Sequence, residues 1–153
     1  MNGGGRLYFP GLAGFYTAME PIAYAVMRFV IGLIMFMHGW AKVTGPGAAG
    51  VARYFASLGL PAPQLLAYSA MFLETVGGIC IAVGFLTRFF AAALAVEMLI
   101  AMLAAHWANG FYVLVSQQKN GYEFVLLLGI ACFFIAIRGG GRYSVDAMLP
   151  KEL

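Results

Sequence analysis

Four apolar stretches constrain this chain more than anything else: Ile22 to Ala41, Leu65 to Leu86, Phe89 to Ala105 and Gly121 to Ile137. Each holds at most two acidic, basic or histidine residues. A helix needs roughly 20 mostly apolar residues to cross the hydrocarbon core, with roughly 17 as a lower limit. The first two stretches reach the full length and the last two the limit. Of the 153 residues, 63% are hydrophobic and only 10% charged, where a soluble domain carries about a quarter charged. Such a chain cannot cover itself with polar groups in water, so the bilayer is its solvent. The expectation is an all-α, integral membrane, antiparallel four-helix bundle. Residues 1–153 would form a single transmembrane domain with spans near 22–41, 65–86, 88–106 and 121–138.

The connections add detail. Pro21 suits the first turn of a helix, where its missing N–H costs nothing, and Glu20 complements the dipole there. Between the first two spans, "VARYFASLGLPAP" sets Val51, Tyr54, Phe55 and Leu58 at helical spacing ahead of Gly59 and Pro61. It predicts a short amphipathic helix lying at the interface. The second connection, "GFLTRF", must turn tightly. The third, "HWANGFYVLVSQQKNGYE", is aromatic and belongs at headgroup level. Four spans place both termini on one side, with Arg6, Arg88, Arg138, Arg142 and Lys151 against Lys42, Arg53 and Lys119. That excess of basic residues puts the termini in the cytoplasm. The net charge of +3 is small and dispersed, which gives nucleic-acid binding no support. Cys80 and Cys132 lie in apolar runs without a CxxC, and read as packing residues. The "GGGR" at 139–142 reads as a helix stop.

Charges inside spans are costly, so they face inward and pair. The orientation gives an outer cluster of His38, Lys42, His106, Asn109 and Glu123, with Glu74 below it. It also gives an inner pair, Arg28 with Glu97, read as a structural salt bridge. Glu97 and His106 are nine residues apart, about 180° around a straight helix, which separates them into two sites unless the helix turns before His106. Gly77 and Gly78, beside Glu74, let a backbone or a ligand come close. Plainer readings stand next to these. His38, near Trp40 and Lys42, could be an interface anchor, and Glu123 could merely complement a helix dipole.

Histidine and carboxylate near a membrane surface can hydrogen-bond the oxygens of a quinone and exchange its protons. Two histidines on different helices could instead ligate a b-type haem, the less favoured reading. No metal site is expected: Met35 and Met37 point to different faces. Nor does the chain carry a catalytic serine, phosphate loop or nucleotide fingerprint.

The segments "RFVIGLIMFMHGWAKV", "FASLGLPAP", "FLETVGGICIAVGFLTR", "HWANGF" and "GYEFVLLLGI" follow one another as in the DoxX family, and residues 26 to 146 resemble that family throughout, down to a closing "GGGRYSVD". The family comprises small four-helix bacterial membrane proteins related to the DoxD subunit of thiosulfate:quinone oxidoreductase. The resemblance implies a place in membrane redox chemistry, beside a partner oxidoreductase subunit that would deliver electrons. It highlights Arg28, His38, Gly39, Lys42, Glu74, Gly77, Gly78, Arg88, His106, Tyr122 and Glu123, and not Glu97. The leading expectation is a membrane subunit of a quinone-linked oxidoreductase, with His38 and His106 as hydrogen-bond partners of the headgroup. Glu74 and Glu123 would accept protons and Lys42 would supply a counter-charge. The alternative is a non-catalytic anchor or assembly subunit of a larger membrane complex. A small-solute transporter would call for broken helices and internal repeats, neither of which the sequence suggests.

Overall fold

The computed structural model describes residues 7–114 and 119–150. Arg6 and Lys151, two of the residues behind the expected orientation, lie outside them. Helix α1 spans Ala13–Thr44 behind a 3-10 turn at Pro10–Leu12. Helix α2 spans Gly47–Ser57, α3 Pro63–Val83 and α4 Thr87–Asn109, and α5 Glu123–Arg138. A two-stranded antiparallel hairpin, β1 Val113–Leu114 and β2 Lys119–Asn120, joins α4 to α5. The fold is that of an all-α membrane protein. Three helices, α1, α3 and α4, are long and apolar enough to cross a membrane. The fourth expected span, α5, has 16 residues and is about 24 Å long at 1.5 Å per residue.

Helix α1 starts earlier than expected. Pro21 lies inside it rather than at its first turn, and Glu20 pairs with Arg138 at the end of α5. Small residues then set how closely α1 meets α3. A Cβ on Gly78 would come 2.6 Å from the Phe36 backbone nitrogen, and one on Gly39 2.6 Å from that of Thr75. The glycine face beside Glu74 therefore admits a neighbouring backbone, not a ligand. Gly77 faces the Phe90 ring instead.

The core joins Tyr24 and Met35 of α1, Ile81 of α3, Leu94 and Met98 of α4, and Leu128, Cys132 and Ile135 of α5. Cys132 is fully buried there and, like the half-buried Cys80, is a free thiol. Around it, Phe29, Val30, Leu33, Leu99, Leu103, Ile130, Phe133 and Ile137 face outward, an apolar belt suited to lipid. Helix α2 forms where its amphipathic spacing predicts. Val51 and Ala52 are buried on Ala67 of α3. Gly59 ends the helix in a left-handed conformation with the Leu60 N–H donating to the Phe55 carbonyl at 3.1 Å, a Schellman stop.

Candidate functional site

A cavity of about 890 Å³ opens among α1, α2, α3, α4 and α5. Its walls are mostly aliphatic, and His38, Lys42, Glu74, Glu97, His106 and Glu123 all line it. The expectation of two separate polar sites is thus corrected: Glu97 and His106 share one.

The reason is local. Met102–His106 is wound as a π-helix, which takes up about one residue more than an α-turn. The extra residue is absorbed without advancing the helix, which takes off about 100° of phase, so the nine-residue separation brings His106 to within about 80° of Glu97. A second π-turn, Leu73–Gly77, carries Glu74. Both irregular turns in the spanning helices therefore sit at the cavity and aim its polar groups.

Glu74 is 4% exposed and forms an ion pair with Lys42 of α1. Glu97 lies within electrostatic reach of both. Its Oε2 is buried and has no hydrogen-bond partner among the described residues. His106 Nδ1 lies 2.9 Å from the Asn120 carbonyl. A carbonyl only accepts, so Nδ1 carries the proton, and Nε2 is left as the nitrogen that can meet a ligand. Asn109 donates to the same carbonyl at 3.1 Å, which places the hairpin over the end of α4. Glu123, the first residue of α5, accepts from the Val113 N–H at 2.8 Å, so it ties down the hairpin as well as lining the cavity. Over this end Trp107 stacks on Tyr122 at a centroid distance of 5.0 Å, and Phe111 meets the same ring edge-on at 5.3 Å. His38 packs its ring on Phe124 of α5 at 6.0 Å and has no hydrogen-bond partner among the described residues.

The expected Arg28–Glu97 salt bridge does not form. Arg28 is buried at the opposite end, where its guanidinium donates to the carbonyls of Ile81, Ala82 and Tyr143, the last two at 2.9 and 2.7 Å. Backbone carbonyls left over where α3 ends supply the acceptors that a carboxylate was expected to provide. Sequence reasoning missed the other half of this network. Asp146 is buried and accepts from the Leu86 N–H at 2.8 Å, the Thr87 N–H at 3.0 Å and the Thr87 hydroxyl at 2.6 Å. It caps α4 from outside the helix. A signal was available: the first turn of α4 has free N–H groups and no acid of its own. The "GGGR" segment is accordingly more than a stop. It turns the chain at Gly139, whose carbonyl accepts from the Tyr24 hydroxyl, and carries Tyr143 and Asp146 back onto the α3–α4 turn.

The DoxX family model matches residues 23–107. Three relatives align over more of the chain. Inner membrane protein YqjF of Escherichia coli (strain K12) is 32% identical over 136 residues, covering 88% of this chain and 97% of that protein. Inner membrane protein YphA of the same organism is 30% identical, covering 86% and 93%. A Bacillus subtilis (strain 168) protein named "Putative oxidoreductase CatD" is 26% identical, covering 85% and 89%. No solved structure matches. Family model and relatives agree in kind with the membrane helices described above: the chain belongs to the DoxX family.

Proposed function

We propose that the protein is the membrane subunit of a quinone-linked oxidoreductase system, and that its cavity receives the quinone headgroup. The observation that carries this reading is the convergence of six ionisable side chains from four helices on one apolar-walled space. Such a space, with a few placed polar groups, is the usual form of a small-molecule site. The residues fit a headgroup bearing two opposed oxygens. Glu97 Oε2 is a buried polar atom without a hydrogen-bond partner among the described residues, His38 lines the same space, and His106 offers Nε2. A bound quinone supplies an acceptor for two electrons and two protons. The chain supplies the binding and the protons: His38 and His106 hold the oxygens, Lys42 offsets charge beside them, and Glu97 gives or takes a proton at Oε2. Glu74, already paired with Lys42, positions that lysine, a change from the role expected of it. A relative named as an oxidoreductase supports the redox class, and electrons would come from a partner subunit.

On this reading α5 is a fourth, short span and α2 lies at the membrane interface. The protein is then a single domain in the plasma membrane with both termini cytoplasmic. Native mass spectrometry of the protein taken from its own membranes in mild detergent tests the function. A quinone mass that disappears with His38→Ala supports it. A bare chain travelling with a larger complex, unchanged by that substitution, would replace it with an anchor role.

A further inference from the structure

The walls of the cavity are not equally closed. On one flank the His38 ring meets Phe124 and bridges α1 to α5. On the other, α3 and α4 come together only from the Leu73–Gly77 turn to their shared inner end. Beyond it, Pro63–Phe72 packs chiefly on α1 and α2, and the Phe72 ring meets Phe90 of α4 beside the turn. Ser69 and Ala70 of α3 face Ala93, Val96 and Ile100 of α4 across the resulting gap, and all five line the cavity. Ser69, Val96 and Ile100 are exposed and not covered by neighbouring side chains. The gap they line runs along the flanks of two membrane-crossing helices, where the surroundings are lipid.

Building on the quinone reading, we infer that the gap between the outer halves of α3 and α4 is a lateral slot holding the apolar tail of a lipid-soluble ligand. Headgroup and tail then occupy one continuous space, polar at Lys42, Glu97 and His106 and aliphatic from Ala101 to Ser69. The ligand reaches the polar end from the bilayer and not from water. The small side chains of Ser69, Ala70 and Ala93 leave the width that a chain of methylene or isoprene units requires. Tail contacts fix depth and register and leave the exchange of protons to the buried end.

The test is photolabelling of the full chain in nanodiscs with a benzoquinone whose decyl tail carries a diazirine. Labelled peptides are mapped by mass spectrometry with and without excess untagged decyl benzoquinone. The expected result is competed labelling within 66–73 and 93–104. It should fall about tenfold in Ala93→Phe, which fills the slot, and in Ser69→Phe, which fills it from the exposed side and is the milder change to folding. Competed labelling on Leu127 and its neighbours, or on Phe111–Leu114, would overturn the slot and leave the headgroup site standing. Labelling that excess quinone does not compete would end the headgroup reading and the slot with it.

Discussion

Asp146 shows how much one side chain holds in this protein. It satisfies two backbone N–H groups and one hydroxyl at the start of α4 while itself buried. Removing it strands those donors away from water, at about 1–3 kcal/mol for each buried donor left unpaired. Asp146→Ala should lower stability by about 3 kcal/mol, read as a lower melting temperature in detergent, and Asp146→Asn by less than half of that. A second prediction concerns Glu97. Glu97→Gln keeps a hydrogen-bonding group of the same shape and should bind quinone within about threefold of the native protein. Glu97→Leu should weaken binding about tenfold, the worth of roughly one net hydrogen bond. Equal affinities of the two variants in a direct binding measurement would remove Glu97 from the site. His38, Lys42, Glu74, His106 and Glu123, which line the cavity, were visible in the sequence because an ionisable group in or at the end of a span is conspicuous by its cost. The partners of Arg28 were not, because backbone carbonyls leave no mark in a sequence.

Among elements, the two π-turns and the glycine contact decide the geometry. Helical arithmetic at 3.6 residues per turn sees neither π-turn, which is why Glu97 and His106 read as members of separate sites. Deleting Ala104 removes the residue that the π-turn absorbs, so Met102–His106 should become regular α-helix with His106 still within about 80° of Glu97. Inserting one alanine after Ala104 should instead swing His106 by about 100°. Helicity by circular dichroism should hold in both, while quinone binding should survive the deletion and fall with the insertion to the level of His106→Ala. Binding that survives the insertion would mean that helical phase does not aim the histidine. The α1–α3 approach is tested differently. A methyl on Gly78 meets the backbone of Phe36, which cannot give way as a flexible side chain does. Gly78→Ala should therefore destabilise by about 1–3 kcal/mol, the usual cost of overpacking, whereas Gly129→Ala meets only the Met98 Cβ at 3.3 Å and should cost less. Helix α2 and the tight α3–α4 turn were legible from spacing and from glycine. The reach of α1 back to Ala13 was not, since Pro21 is a stronger boundary signal than the chain respects.

For the whole molecule, hydropathy alone was enough for the membrane and for the all-α class, and three of the helices it implied are long enough to cross. Orientation rests on a small excess of basic residues. A C-terminal alkaline phosphatase fusion should be inactive and a green fluorescent protein fusion bright in Escherichia coli; the reverse pattern would invert the topology. The clasp at the α3–α4 turn has a further bearing, on the order of assembly. Tyr143 follows Arg28 by 115 residues, and Asp146 follows Thr87 by 59. A ribosome releases the guanidinium of Arg28 and the bare start of α4 into the bilayer long before Tyr143 and Asp146 exist. During synthesis the helices must wait, loosely gathered, with the guanidinium met only by α3. The segment that follows α5 is what locks them, so the bundle is sealed when residues 143–146 arrive rather than helix by helix.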